Sequence, residues 1–167
     1  MIQPEPTRPE RMSQDDDPAP VLALIRTAFA GMEGRINPPS SVHRLTAADL
    51  AHLAQHQEIW LIRDQRRVLA CMALTALPLA LPDHLYLGKL AVAASHRGRG
   101  LARQLVEHAC ERAQARGLGA VELQVRVELV ENHDAFRAMG FRQTAATAHP
   151  GFDRPTSLTF RRAVALA

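Results

Sequence analysis

Arginine and glycine alternate in one short stretch of the chain, Arg97-Gly98-Arg99-Gly100, directly before a predicted helix. Glycine leaves backbone N–H groups open to a ligand because it has no Cβ. A helix start adds unpaired N–H groups and a partial positive charge, and the two arginines add formal charge. The combination predicts an anion site of the kind that holds a pyrophosphate. The alternative is a tight strand-to-helix turn that needs glycine only for its backbone conformation.

The spacing of these glycines does not fit the two common nucleotide-binding patterns. The residue three positions after Gly100 is Arg103, so there is no GxGxxG, and GxxxxGK[ST] is also missing from the sequence. The sequence therefore disfavours both a dinucleotide-binding motif and a nucleotide P-loop at this turn.

The elements around the turn follow from the hydrophobic pattern. Residues 85–92 are mostly apolar, as in a central strand that is covered on both faces. Residues 121–127 alternate between apolar and polar side chains, which predicts a second strand. Between them, apolar residues recur every four positions from Leu101 until Gly117, which predicts a helix. The turn thus joins a central strand to a long helix.

The rest of the chain supplies further helices and strands to the same domain. The pattern predicts helices from Pro18 to about Ala30, from Thr46 through Leu53 and from Asn132 to Gly140, a hairpin of residues 58–63 and 68–75, and strands at 141–144 and 157–162. Residues 1–17 are predicted to be an irregular lead-in, in which Pro9 weighs against an edge strand at 8–12. Residues 18–167 are predicted to form one domain.

Composition narrows the class of protein. The 167 residues are 47% apolar and 22% charged, which is typical of a globular chain. No run approaches the ~18 apolar residues of a membrane span, and the N-terminus lacks an apolar signal core, so a cytoplasmic protein is expected. A net charge of +3 with only 4% aromatic residues weighs against a nucleic-acid partner.

The cysteines and histidines show no metal-like spacing. Cys71 and Cys110 lie in apolar or amphipathic surroundings and are predicted to be buried thiols, with a disulfide or metal pair as the alternative. The eight histidines are scattered along the chain. No structural metal is predicted.

Three segments together resemble the GNAT-type N-acetyltransferases. Residues 97–102, RGRGLA, match the R/Q-x-x-G-x-G/A acetyl-CoA signature of that family. The preceding LGKLAV resembles the family's fourth strand, and ENHDAFRAMGF at 131–141 resembles its N…(F/Y)…GF segment. The resemblance is specific over 85–141 and extends by element order from about Val21 to the end. It implies an α/β fold, a mixed sheet whose central strands splay around the cofactor, with helices on both faces.

The resemblance also implies acetyl-CoA as co-substrate and a set of residues that bind it. The cofactor-binding residues would be Leu90, Val92, Arg97, Gly98, Arg99, Gly100, Leu101, Ala102, Asn132 and Phe136. The amides of residues 98–102 would hold the pyrophosphate, and backbone groups near Leu90 and Val92 would bond the pantetheine arm. The N–H of Leu90 would polarise the thioester carbonyl. A helix N-cap is a compatible structural role for Asn132.

Acyl transfer to an amine requires the amine to be neutral, and a lysine-like amine has a pKa near ~10.4. A base is therefore expected near the acceptor. Many family members use a glutamate of the fourth strand, but residues 85–92 contain no carboxylate. The candidates elsewhere are Glu122, Glu128, Glu131, His149 and Asp153, each with a solvated or structural role as the alternative. Glu128 ranks first because it lies at the C-terminal end of its strand, where ligands of open α/β sheets collect.

The leaving thiolate raises a second question of proton transfer. The family often has a tyrosine four residues before the GF glycine, and that position is Phe136 here. A thiol pKa near ~8.5 makes departure without an acid tolerable. Tyr86, the single tyrosine, lies on the predicted fourth strand and is the candidate acid, with an aromatic packing role as the alternative.

In this family two loops usually wall the acceptor pocket, and they correspond to residues 32–44 and 148–157. Arg35, His149, Asp153 and Arg154 are the candidate substrate-binding residues. They favour a small polar amine, including one whose carboxylate is met by Arg35 or Arg154. Two surface turns are the structural alternative. Acetylation of aminoacyl-tRNA is disfavoured by the modest charge.

The sequence therefore predicts an N-acetyltransferase that moves acetyl from acetyl-CoA directly to a primary amine of a small polar molecule or peptide. A monomer or homodimer is expected, without membrane or nucleic-acid partners. The alternative from another class is a non-catalytic acyl-CoA sensor of the same fold, which the missing fourth-strand carboxylate and Phe136 leave open.

Overall fold

The computed structural model describes residues 8–76 and 83–165, and the described residues form seven strands and four α-helices. The strands are β1 (Glu10–Arg11), β2 (Glu58–Asp64), β3 (Arg67–Thr75), β4 (His84–Val92), β5 (Ala120–Arg126), β6 (Arg142–Thr147) and β7 (Ser157–Ala163). The helices are α1 (Ala19–Ala30), α2 (Ala47–His56), α3 (Leu101–Ala115) and α4 (Val130–Ala138). Residues 1–7 of the predicted lead-in and 166–167 of the predicted domain lie outside the described residues.

The strands form one sheet in the order β1-β2-β3-β4-β5-β7-β6. Neighbouring strands are antiparallel except for β4 and β5, which are parallel and are connected through α3. A parallel pair requires such a crossover. The mixed sheet expected from the sequence is therefore confirmed. The helix that follows the glycine–arginine turn forms the crossover connection between the two central strands.

Alternate residues of the central strands pack on opposite faces of the sheet. Cys71 and Ala73 of β3 join one buried cluster with α1 and α2, whereas Met72 and Leu74 join the other with α3. The second cluster also contains Phe141 and Phe160 beside α4. Helices thus cover both faces, as predicted. In the ranges 8–76 and 83–165 no helix is both long and apolar enough to cross a membrane.

The short strand β1 corrects the prediction of an irregular lead-in. Glu10 and Arg11 pair with β2 at the edge of the sheet, and Met12 is buried in the cluster beneath α1. Proline disfavours a strand because it cannot donate to the ladder. Pro9 precedes the strand, so it removes no ladder hydrogen bond from this edge.

Buried Glu58 ties the C-terminal half of α3 to the sheet. Its carboxylate accepts hydrogen bonds from Arg112 Nε at 2.8 Å, Arg116 at 2.9 Å and Trp60 Nε1 at 3.0 Å. Burial raises the pKa of Glu58, but the hydrogen bonds from Arg112 and Trp60 outweigh that effect, and the pKa lies below its usual value. The charged form is therefore the one that holds the helix.

Replacing Glu58 with glutamine should lower the free energy of unfolding by about 2 kcal/mol at pH 7, because the bonds lost join charged groups. A depressed pKa contributes stability above the unfolded pKa of ~4.3 and loses it as the pH falls through the folded pKa. The difference between variant and wild type should thus shrink at pH 3 in urea titrations. The exposed Glu111→Gln serves as control. An equal difference at both pH values would contradict the assignment to charge.

Candidate active site

The two central strands separate soon after they begin. β4 and β5 pair over three positions only, from His84 opposite Ala120 to Tyr86 opposite Glu122, although β4 continues to Val92. At the closed end, the amide of Gly119 donates to the carbonyl of Asp83 at 3.0 Å. Beyond Tyr86 a V-shaped gap opens, which confirms the expected splay of the central strands.

A β-bulge shapes the β4 side of this gap. The register between β3 and β4 shifts between Cys71 and Ala73, so that Lys89 and Leu90 together lie opposite Met72. Lys89 has a φ of 52°, a left-handed conformation that costs ~1–2 kcal/mol outside glycine. A bulge leaves an extra residue unpaired in the ladder. The bulge thus interrupts the regular β3–β4 register at Lys89 and Leu90, beside the gap.

A cavity of about 460 Å³ occupies the gap. Of the sequence-predicted site residues, it is lined by Tyr86, Leu90, Val92, Ala102, Asn132, Phe136 and His149. One end, near Val92 and Ala102, lies toward the glycine–arginine turn, and the other is bordered by Ser40, Ser41 and His149. The structure thus brings predicted cofactor residues and one predicted acceptor residue into one space.

The glycine–arginine turn has the conformation that glycine allows. Gly98 and Gly100 have φ values of 74° and 80°, and Gly100 is the N-cap residue of α3 without any side-chain cap. A Cβ built on either glycine would meet no atom within 4 Å. Arg97 and Arg99 are exposed, and neither is paired with a carboxylate in the described part of the chain. The open backbone, unpaired amides and free cations fit a pyrophosphate group.

Asn132 lies in the first turn of α4 rather than at its N-cap. The helix begins at Val130, with Leu129 as the capping residue, and the Leu129 carbonyl accepts from the amides of Asn132 and His133. The prediction of an N-cap was therefore wrong, because the helix starts three residues earlier than a cap at Asn132 would place it. Half-buried Asn132 instead lines the cavity.

Tyr86 closes the narrow end of the gap. Its ring lies against Gly88, where a Cβ would come within 3.4 Å of the ring. Burial raises the pKa of Tyr86, as does the charge of Glu122, while a hydrogen bond with the backbone of Gln124 on β5 opposes them. The phenol therefore keeps its proton at neutral pH and reaches from β4 to β5.

His149 borders the same end of the cavity as Ser40 and Ser41, and it is held by Thr156. The backbone N–H of His149 donates to Thr156 Oγ1 at 2.8 Å, and His149 Nδ1 is also hydrogen-bonded to that oxygen. Thr156 is fully buried. Burial and the charge of Arg126 lower the pKa of His149, against the opposing effect of Glu128. The ring is therefore neutral at pH 7.

Glu128, the first-ranked base, is not among the residues that line the cavity. Its Oε2 accepts from the amide of Asn37 at 3.0 Å, and its Oε1 is buried without a hydrogen-bond partner among the described atoms. Neighbouring Arg126 donates to the carbonyl of Pro38 at 2.7 Å. Both side chains of the β5 end thus fasten the loop that follows α1.

The other charged candidates lie apart from the cavity. Arg35 and Glu131 form an ion pair at 2.6 Å, and the hydrogen bond from Arg35 lowers the pKa of Glu131 to about 2. Glu122 pairs with Arg161 at 3.3 Å. Asp153 and Arg154 are exposed on the loop before β7, where Arg154 stacks over the Phe152 ring.

The cysteines offer no nucleophile. Cys71 and Cys110 are both free and buried, as the sequence predicted. Burial raises the pKa of Cys71 to about 12, and it also raises that of Cys110. A thiolate is the reactive form, so neither side chain is suited to carry an acyl group.

Several lining residues carry no sequence signal of their own. Lys89, Gln124 and Ser157 border the cavity, and buried Thr156 positions His149. A residue such as Thr156 looks like any turn threonine in the sequence. Its role depends on the two hydrogen bonds that the folded loop creates.

The comparisons with known proteins agree with this geometry. A family model described as the GNAT acetyltransferase family matches residues 22–141. A search of the curated proteins gave no match. Similar solved structures include a GNAT-family acetyltransferase from Streptococcus pneumoniae, with 15% identity, a TM-score of 0.72 and coverage of 94% of this chain and 98% of that one. An IAA acetyltransferase from Bacillus cereus shows 17% identity, a TM-score of 0.64 and coverage of 93% and 98%.

At such identities the solved structures establish the fold, while the family model covers most of the chain and includes the turn, the gap and α4. Members of this family use acetyl-CoA as co-substrate and act on amines. The chain belongs to the GNAT acetyltransferase family and is an acyl-CoA-dependent acyltransferase.

Proposed function

We propose that the chain transfers acetyl from acetyl-CoA directly to a primary amine of a small molecule or peptide. The observation that carries the proposal is that one continuous cavity is lined by Leu90, Val92 and Ala102 at one end and by His149 at the other. A co-substrate and an acceptor can therefore meet inside one gap. The buried cysteines support direct transfer without a covalent enzyme intermediate.

The open turn is proposed to hold the pyrophosphate. The amides of residues 98–102 would donate hydrogen bonds to the pyrophosphate at the start of α3, where the helix dipole also favours negative charge. Arg97 and Arg99 add charge, and Asn132 and Phe136 border the remainder of the cofactor. When bound, acetyl-CoA supplies the activated acetyl group as a thioester.

His149 is proposed as the base, in place of Glu128. Its neutral ring borders the acceptor end, and its lowered pKa suits a group that accepts a proton near neutral pH. Thr156 fixes the ring through Nδ1, which leaves Nε2 to face the amine. The charge of Glu128, which is half-buried, acts to raise the pKa of His149, so it stabilises the protonated ring.

Leu90 is proposed to stabilise the thioester carbonyl during the reaction, and Tyr86 is proposed to protonate the leaving thiolate. The Leu90 N–H, which lies at the bulge next to Lys89, would stabilise negative charge that develops on the carbonyl oxygen. Tyr86 keeps its proton because burial raises its pKa. The phenol is therefore available to protonate the leaving thiolate.

The function is tested by following free thiol from acetyl-CoA with a panel of amines, amino acids, polyamines and peptides, and by confirming the acetylated product by mass spectrometry. Acetyl-dependent turnover with at least one amine is expected. Tight CoA binding without turnover on any acceptor would instead favour the acyl-CoA sensor.

Replacing Tyr86 with phenylalanine should lower kcat about tenfold. This is less than the 10²–10⁴ typical of a proton-transfer residue, because the thiolate is a tolerable leaving group. Adding Phe136→Tyr to that variant should restore part of the rate, since it places a phenol where the family often has one. Steady-state kinetics at saturating acetyl-CoA provide the measurement. An unchanged kcat in Tyr86→Phe would remove the phenol from the mechanism.

A further inference from the structure

A side pocket of about 180 Å³ adjoins the acceptor end of the cavity. Phe29, Met32, Ile36 and Ser40 line both spaces, which places the side pocket next to the point where the acceptor amine must lie. Met32 and Ile36 are half-buried and pack against the main core. The shared wall is thus formed mostly by carbon.

The far wall of the pocket is fixed before any ligand binds. It is formed by the loop that follows α1, including Gly34 and Pro39. The amide of Asn37 donates to Glu128, and Arg126 donates to the carbonyls of Pro38 and Pro39 at 2.7 and 3.4 Å. These bonds fasten the loop to the end of β5. A largely preformed pocket of this kind is suited to select its ligand.

The charges around the pocket leave no partner for a carboxylate. Its ionisable lining groups among the described residues are Glu33 and His43, and His43 Nδ1 lies 3.3 Å from Glu33 Oε1. Nearby Arg126 is held by backbone carbonyls, and Arg35 is held by Glu131. A ligand carboxylate in this pocket would therefore lie near the carboxylate of Glu33, and no lysine or arginine among the described residues of the pocket wall would be available to pair with it.

We propose that the side pocket binds the uncharged apolar body of the acceptor, a short alkyl chain or a single ring, while its primary amine lies at His149. This inference rests on the proposed acetyl transfer to an amine and replaces the small polar acceptor expected from the sequence. An apolar cavity of about 150 Å³ holds a benzene ring. The size of the side pocket therefore suits one ring or a chain of comparable volume.

Three acceptors of equal length test the proposal: hexylamine, 1,6-diaminohexane and 6-aminohexanoate, which end in a methyl group, an ammonium group and a carboxylate. The value of kcat/KM should be highest for hexylamine and at least tenfold lower for 6-aminohexanoate. Equal values for the three, or a preference for either charged end, would overturn the apolar assignment while acetyl transfer stands. Failure of all amines in the assay would count against the proposed function itself.

A charge placed in the wall of the side pocket provides a second test of the proposal. Ile36→Lys supplies the cation that the wall lacks, so it should lower kcat/KM for hexylamine and raise it for 6-aminohexanoate. The matched control is Val42→Lys, at a half-buried residue that packs against the other cluster. It should keep the wild-type order of acceptors. If Ile36→Lys also keeps that order, the side pocket does not contact the acceptor.

Discussion

Replacing Gly100 with glutamate should weaken acetyl-CoA binding at least a hundredfold. The Cβ of any residue at this position would enter open space beside the first turn of α3, which is where the pyrophosphate is proposed to lie. Glutamate adds bulk and a negative charge beside that group. Isothermal calorimetry with coenzyme A measures the loss.

Gly117 at the other end of α3 provides a matched control. Its φ is 70°, and a Cβ there would also meet no atom within 4 Å. Gly117→Glu therefore imposes a similar left-handed strain of ~1–2 kcal/mol and the same charge, but far from the turn. It should bind coenzyme A as the wild type does. If both variants lose binding equally, strain explains the effect and the pyrophosphate assignment is wrong.

Replacing His149 with glutamine should lower kcat/KM by about 10²–10³, the range of a positioned base. The loss should fall mainly on kcat, because glutamine keeps polar contacts but cannot accept the proton. His52→Gln, at an exposed histidine of α2, is the control and should retain wild-type activity. Wild-type activity in His149→Gln would require another base.

The pH dependence of the same two proteins identifies the proton acceptor. Burial lowers the pKa of His149 below its usual 6.5, so the ring remains neutral until the pH falls beneath that value. Wild-type kcat/KM should rise toward alkaline pH as more acceptor amine becomes neutral, and it should fall more steeply in the acid range, where the His149 ring becomes protonated. In His149→Gln this additional acid limb should disappear. An acid limb that persists in the variant would assign it to another group.

The sequence predicted best what depends on local pattern. The apolar run of β4, the alternation of β5 and the periodic helix between them are each determined within about ten residues, and the glycines of the turn need a backbone conformation that few other residues adopt. These features predicted the order of the elements and the location of the glycine–arginine turn before α3.

What the sequence could not predict are contacts between distant segments. The hydrogen bond between Asn37 and Glu128 joins residues 91 positions apart, so the sequence did not show that the Glu128 carboxylate fastens the loop that follows α1. Similarly, the guanidinium of Arg35, which the sequence predicted to bind substrate, forms an ion pair with Glu131. The N-cap prediction for Asn132 failed because asparagine, a good capping residue, can also lie within the first turn of a helix.

The three-pair ladder between β4 and β5 has a consequence for the stability of the enzyme. Strands β1–β4 and β5–β7 form two halves of a sheet that is continuous only near Tyr86. A pantetheine arm bonded to the backbone of both strands would bridge the halves where protein hydrogen bonds are missing. Because a ligand that binds only the native state stabilises it by mass action, a higher concentration of acetyl-CoA would then raise the free energy of unfolding of this protein as well as its rate of turnover.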